Sequence, residues 1–163
     1  MIEPAVSALL WLSALGCAVM AGLYFAFSAF IMRALGEIDR AAGIAAMVAI
    51  NRVILRSAFM PVFLGSTLTS LALAVIALLR WGEPGTAAML VGALVYVLGM
   101  FGVTMARNVP LNNRLIAAGA DGDDGIWALY LTVWTRWNHV RTLASAAGLV
   151  LFVVALIELG ANG

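Results

Sequence analysis

The chain has 163 residues, a formal net charge of +1, 64% hydrophobic residues and only 10% charged ones, with a mean hydropathy of +1.07. A soluble globular domain carries about 25% charged residues, so this composition excludes that class and points to a protein that crosses the bilayer several times. Near-neutral charge and the lack of a basic domain outside the apolar runs leave nucleic-acid binding without support.

Four stretches, residues 5–32, 57–79, 86–106 and 142–159, reach or approach the ~20 apolar residues that a helix needs to cross a hydrocarbon core of ~30 Å. Residues 1–163 read as one four-span transmembrane domain, an all-α integral membrane four-helix bundle with both termini on one side. Arg33, Arg40, Arg52 and Arg56 follow span 1, and Arg107, Arg114, Arg136 and Arg141 follow span 3, whereas Arg80 alone lies in the opposite loop. Short Arg-rich loops are retained in the cytoplasm. The expected setting is the inner or plasma membrane, with both termini outside and the Arg-rich face cytoplasmic.

Span 1 follows Met1, Ile2, Glu3 and Pro4, which supply no basic n-region, and its apolar run is too long for a signal h-region, so it is expected to remain in the mature protein. Cys17 is the single cysteine and reads as a small apolar core residue. With His139 the single histidine and Glu158, at the very end of span 4, the single Asp or Glu inside the spans, no standard zinc or iron–sulfur ligand set exists, and no metal is expected. Tyr24, Phe27 and the small residues among them suit close helix packing and equally the apolar wall of an aromatic ligand site.

Residues 41–79 contain only Gly43, Pro61 and Gly65 as strong breakers, which predicts one long helix kinked at Pro61, with Asn51, Arg52 and Arg56 just before the kink. Pro110 disfavours helix at Val109 and predicts the end of span 3 there. Asn108, Asn112 and Asn113 then serve either to cap the orphaned carbonyls or to bind ligand oxygens. Asp121, Gly122, Asp123, Asp124 and Gly125 read as a capping turn that starts a helix over 126–159, since they lack the spacing and closing Glu of a calcium loop. Spans 2 and 4 thus gain helical extensions on the Arg-rich side.

On this last helix Trp127, Tyr130, Trp134, then Trp137 or Asn138, and Arg141 recur at three- and four-residue steps and share one face, which Ser145, Gly148 and Phe152 continue. An interfacial aromatic belt explains the rings but does not call for Asn138 and Arg141. His139 has the side-chain type best suited to a general base near neutral pH. Helical phase sets it about 100° from Asn138 and off the stripe, so a structural hydrogen bond fits it as well. The segments opening at Asn51 and at Asn138 look weakly alike, and two packed hairpins would bring both polar collars to one level. Side chains from Asn51, Arg52 or Arg56, from Asn108 or Asn112, and from Asn138 or Arg141 are therefore expected to border one pocket.

The Tyr24-Phe25-Ala26-Phe27-Ser28 segment, Asn51-Arg52 with Arg56, Asn108-Val109-Pro110-Leu111-Asn112, and Trp134-x-x-Trp137-Asn138-His139-Val140-Arg141-Thr142 together resemble the anthrone oxygenase-like (DUF1772) family of small four-span membrane proteins. The similarity covers nearly the whole chain. It implies an oxidoreductase that acts with O2 on a polycyclic phenolic or quinone-like substrate without metal, flavin or other cofactor, as fungal relatives convert anthrones to anthraquinones. In this reading His139 accepts a C–H proton, Arg141 with Asn138 or Asn108 stabilises the resulting oxyanion, and Trp134 and Trp137 hold the rings. Arg52 or Arg56 adds charge at the rim, and Asn51, Asn112, Tyr24 and Phe27 complete the substrate wall. The alternative is a noncatalytic membrane protein that binds a quinone, lipid or hydrophobic metabolite, or supports a partner complex. The expected partners are a hydrophobic aromatic molecule or lipid and the membrane itself, and a homo-oligomer is compatible with the chain. No charged residue stands in the middle of a span, which argues against an ion-coupled transporter.

Overall fold

The computed structural model describes residues 2–119 and 124–161, and among these every regular element is helical. Four helices are long and apolar enough to cross a membrane: α1 (Pro4–Glu37), α3 (Phe59–Leu79), α4 (Thr86–Ala118) and α5 (Gly125–Gly160). The shorter α2 (Arg40–Ile54) precedes α3. The four long helices form a ring in which α1 meets α3, α3 meets α4, α4 meets α5, and α5 closes on α1. Leu15, Leu68, Val75, Leu98, Leu143 and Val150 are exposed around it, the apolar exterior of an integral membrane protein.

Inside the ring, Leu10, Met20, Leu73, Tyr96, Met100 and Phe152 make the main core. Small residues let backbones approach closely there: a Cβ built on Gly99 would lie 2.5 Å from that of Ala144, across the α4–α5 contact. Helices α1, α4 and α5 have 34, 33 and 36 residues, more than the ~20 that span a bilayer. Their surplus lengths gather at one end, where α2 packs on them and Phe27, Ile44, Met47, Leu115, Trp127, Tyr130 and Trp134 form a second core. Gly43 seats α2 against that core, since a Cβ there would stand 2.7 Å from the Leu35 carbonyl and 2.8 Å from Cζ2 of Trp127.

Three sequence expectations about helix ends are corrected. Spans 2 and its extension are not one helix kinked at Pro61: α2 stops at Ile54, and Pro61 is the third residue of α3. A first-turn N–H has no intrahelical acceptor, so proline is tolerated there. The break lies upstream, where the Ser57 hydroxyl donates to the Ile54 carbonyl at 2.9 Å and accepts the Phe59 N–H at 3.2 Å. Span 3 does not stop before Pro110 either, and α4 continues to Ala118. Immediately upstream the chain is π-helical over Thr104–Asn108, and the Val109 N–H bonds the Thr104 carbonyl. That wide turn moves the preceding carbonyls away from the ring of Pro110. Third, the openings at Asn51 and Asn138 are not equivalent, because Asn51 lies in the last turn of α2 whereas Asn138 is deep inside a continuous α5. The acidic turn expected at Asp121, Gly122 and Asp123 falls outside the described residues.

The turn at Thr104–Asn108 is one of several. Phe27–Ile31 in α1, Val97–Gly102 in α4 and Tyr130–Trp134 in α5 are also π-helical. Such turns are rare and recur at functional sites. Here they adjoin one region of the molecule, the junction between the membrane ring and its projecting end.

Candidate functional site

The π turn over Tyr130–Trp134 resolves the alternative between Trp137 and Asn138. After it, Trp134, Asn138, Arg141, Ser145, Gly148 and Phe152 follow one another on the buried face of α5. Trp137 is turned away and stacks instead under the Arg107 guanidinium, 4.9 Å from its ring centre. On the projecting side Trp127, Tyr130 and Trp134 stack in series, with centroid spacings of 5.9 and 5.5 Å. Phe27 of α1 meets Trp134 edge-on at 5.7 Å.

Two buried amides tie neighbouring helices together beside the π turns. Asn138 donates to the Tyr24 carbonyl and to Oγ of Ser28, both at 2.7 Å, just before and within the π turn of α1. Asn108 donates at 3.2 Å to the carbonyl of Trp134, the last residue of the π turn in α5. Interruptions of the α-helical ladder are where carbonyls become available to such partners.

Arg141 is 5% exposed. Its guanidinium lies 4.2 Å from the Tyr24 ring centre and 5.0 Å from that of Trp134, and it donates to Oδ1 of Asn138 at 2.7 Å and more weakly to Oγ1 of Thr104 at 3.4 Å. Its Nε is buried without a partner. These partners are all neutral, and no carboxylate bonds it among the described residues. Ring faces and an amide hold the cation in place, yet burial of a charge without a counter-ion costs several kcal/mol.

Beside this cation is a cavity of about 320 Å³, within the range of small-molecule sites. All five helices line it. The buried Tyr24 and Arg141 are on its wall together with the exposed Leu55, Met105 and Ile116, so it runs from the interior to the surface. Apolar side chains, among them Phe27, Met47, Ile50 and Phe63, form most of the rest. Polar groups enter at a few points: Thr104, Asn51, Asn112 and Asn113. A directional hydrogen-bond chain joins two of these, from Nδ2 of Asn51 to the Tyr130 hydroxyl at 3.5 Å, and from that hydroxyl to Oδ1 of Asn112 at 2.8 Å. Trp134 donates to the same oxygen at 2.8 Å.

Of the residues that sequence reasoning singled out, Tyr24, Phe27, Asn51, Asn112, Trp134 and Arg141 meet at this cavity. Asn108 and Asn138 are fully buried behind it, acting on Trp134 and Arg141. The remainder stand elsewhere. His139 is exposed and off the cavity wall, because its phase on α5 carries it away from Asn138, as the helical period of the sequence predicts. Arg52 and Arg56 are exposed and off the wall, and the half-buried Trp137 is off it too. Sequence reasoning missed Met47, Ile50, Phe63 and Thr104. Thr104 stands one turn before Asn108, which could have marked it, whereas nothing distinguishes the other three from ordinary apolar core.

No curated protein and no solved structure matches the chain. The family model described as anthrone oxygenase matches residues 53–151, a stretch that runs from the last turn of α2 through Arg141 and carries Asn108, Asn112, Trp134 and Asn138. That match covers more than half of the sequence, and the chain belongs to the anthrone oxygenase family.

Proposed function

We propose that the protein is a membrane oxidoreductase that holds a polycyclic phenolic or quinone-like molecule in this cavity and oxidises it with O2, without metal or flavin. The observation that carries the reading is Arg141: a buried guanidinium with neutral partners, an unpartnered Nε and a place on the wall of an aromatic cavity. An anionic oxygen on the ligand completes its coordination. An anthrone-type substrate develops that charge when its methylene loses a proton and becomes an enolate. Arg141 stabilises the enolate oxygen, Trp134 and Phe27 confine the rings, and the proton passes to water at the cavity mouth. The electron-rich carbon then takes up O2, and loss of water leaves a carbonyl where the methylene was: one substrate and one O2 give one quinone and one water.

A second reading is favoured by the composition of the wall, which among the described residues contains no carboxylate, imidazole or thiol to act as a base. It makes the protein a noncatalytic carrier of a quinone, lipid or other hydrophobic metabolite. Isotopically labelled O2 separates the two. With detergent-solubilised protein and anthrone, the oxidoreductase reading expects one labelled oxygen atom in each quinone, formed faster than in protein-free solution. Binding of anthrone with oxidation at the protein-free rate would leave the carrier reading in its place.

A further inference from the structure

We propose that Asn112 is a specificity-determining residue that requires a second, neutral oxygen acceptor on the ligand, at a point distinct from the oxyanion held by Arg141. This rests on the reading of the cavity as a site for flat phenolic molecules.

The inference follows from the direction of the hydrogen bonds around Asn112. An indole N–H only donates, so the contact from Nε1 of Trp134 fixes which end of the Asn112 amide is oxygen. The Tyr130 hydroxyl receives the amide of Asn51 and passes its own proton to that same oxygen. Both lone pairs of Oδ1 are thereby occupied. The amide N–H pair of Asn112 has no partner among the described residues, and Asn112 lines the cavity. The side chain is thus a donor whose orientation is set in advance by two aromatic residues, with no rotation left to turn it into an acceptor. Trp134 also keeps the two donors apart. Arg141 stands over its ring and Asn112 at its N–H edge, so they meet a ligand at different points. A ligand that satisfies both carries an ionised oxygen at one position and a carbonyl or ether oxygen at another.

The test is binding without oxygen, followed by quenching of tryptophan fluorescence, for a hydroxyanthracene and the hydroxyanthraquinone of the same ring outline. The quinone adds carbonyl oxygens, and with the hydroxyl on an outer ring neither compound has the methylene that turnover consumes. Wild type is expected to bind the hydroxyanthraquinone about tenfold more tightly, the size of one good hydrogen bond to a preorganised donor. Asn112→Ala removes the donor, and the preference should disappear. Asn112→Asp, compared above the ordinary carboxyl range, keeps the oxygen that Tyr130 and Trp134 bond while removing the N–H pair, so it carries the test if the alanine variant does not fold. Both ligands are compared at a pH where their hydroxyls are ionised, so the added charge acts on both and cancels in the ratio. Equal affinities in wild type, or a preference that survives both substitutions, would overturn the role of Asn112 alone. Failure of wild type to bind either compound would remove the cavity reading as well.

Discussion

At the scale of single residues, the arrangement depends on Asn138 more than on the residues around it that look more chemical. One amide holds the Tyr24 carbonyl, Oγ of Ser28 and the Arg141 guanidinium. Asn138→Ala should destabilise the protein by about 1–3 kcal/mol, because it strands buried partners, and a lowered melting temperature in detergent would record this. His139 offers the contrasting case. Its imidazole is exposed and off the cavity wall, so His139→Ala should retain anthrone-dependent oxygen uptake close to wild type, and a large loss would restore it to the mechanism. The sequence shows that Asn138 and Arg141 share a stripe with Tyr130 and Trp134. It does not show which of Trp137 and Asn138 lies inward, because both satisfy an α-helical period and only the π turn decides between them.

At the scale of elements, the wide turns set the register. Hydropathy and helical period were enough to reveal the four apolar spans and the aromatic face of α5, since both are properties of long segments. The π turns were not legible, because they break the periodicity on which such a reading depends. The prolines misled for a related reason. Pro61 sits harmlessly in a first turn, and Pro110 follows a π turn that accommodates its ring. Inserting one alanine after Thr132, beyond what the π turn of α5 absorbs, should rotate Trp127 and Tyr130 by about 100° relative to Trp134 and Arg141. Membrane insertion should be unaffected and ligand binding lost, as measured by fractionation and fluorescence quenching on the same preparation. Seating of α2 is tested separately. Gly43→Ala places a methyl group against the Leu35 carbonyl and Trp127, and overpacking of this kind costs about 1–3 kcal/mol. Faster limited proteolysis within α2 is the expected sign.

At the scale of the whole molecule, the cavity lies where the membrane ring gives way to the projecting ends of α1, α4 and α5, and α2 closes over it. A hydrophobic ligand can thus reach a buried cation from the surface between the exposed Leu55, Met105 and Ile116. If the arginine bias sets the orientation, reporters fused near Gly82 and after Gly163 should both report the outside, and a cytoplasmic signal from either would reverse the assignment. The central claim concerns Arg141 and is tested most directly by oxygen uptake with anthrone as the substrate, comparing wild type with Arg141→Met at equal amounts of folded protein. Removal of the group that holds the developing oxyanion is expected to lower turnover by about 10²-fold while the protein remains in the membrane and retains its helical content. Undiminished uptake in Arg141→Met would contradict the account.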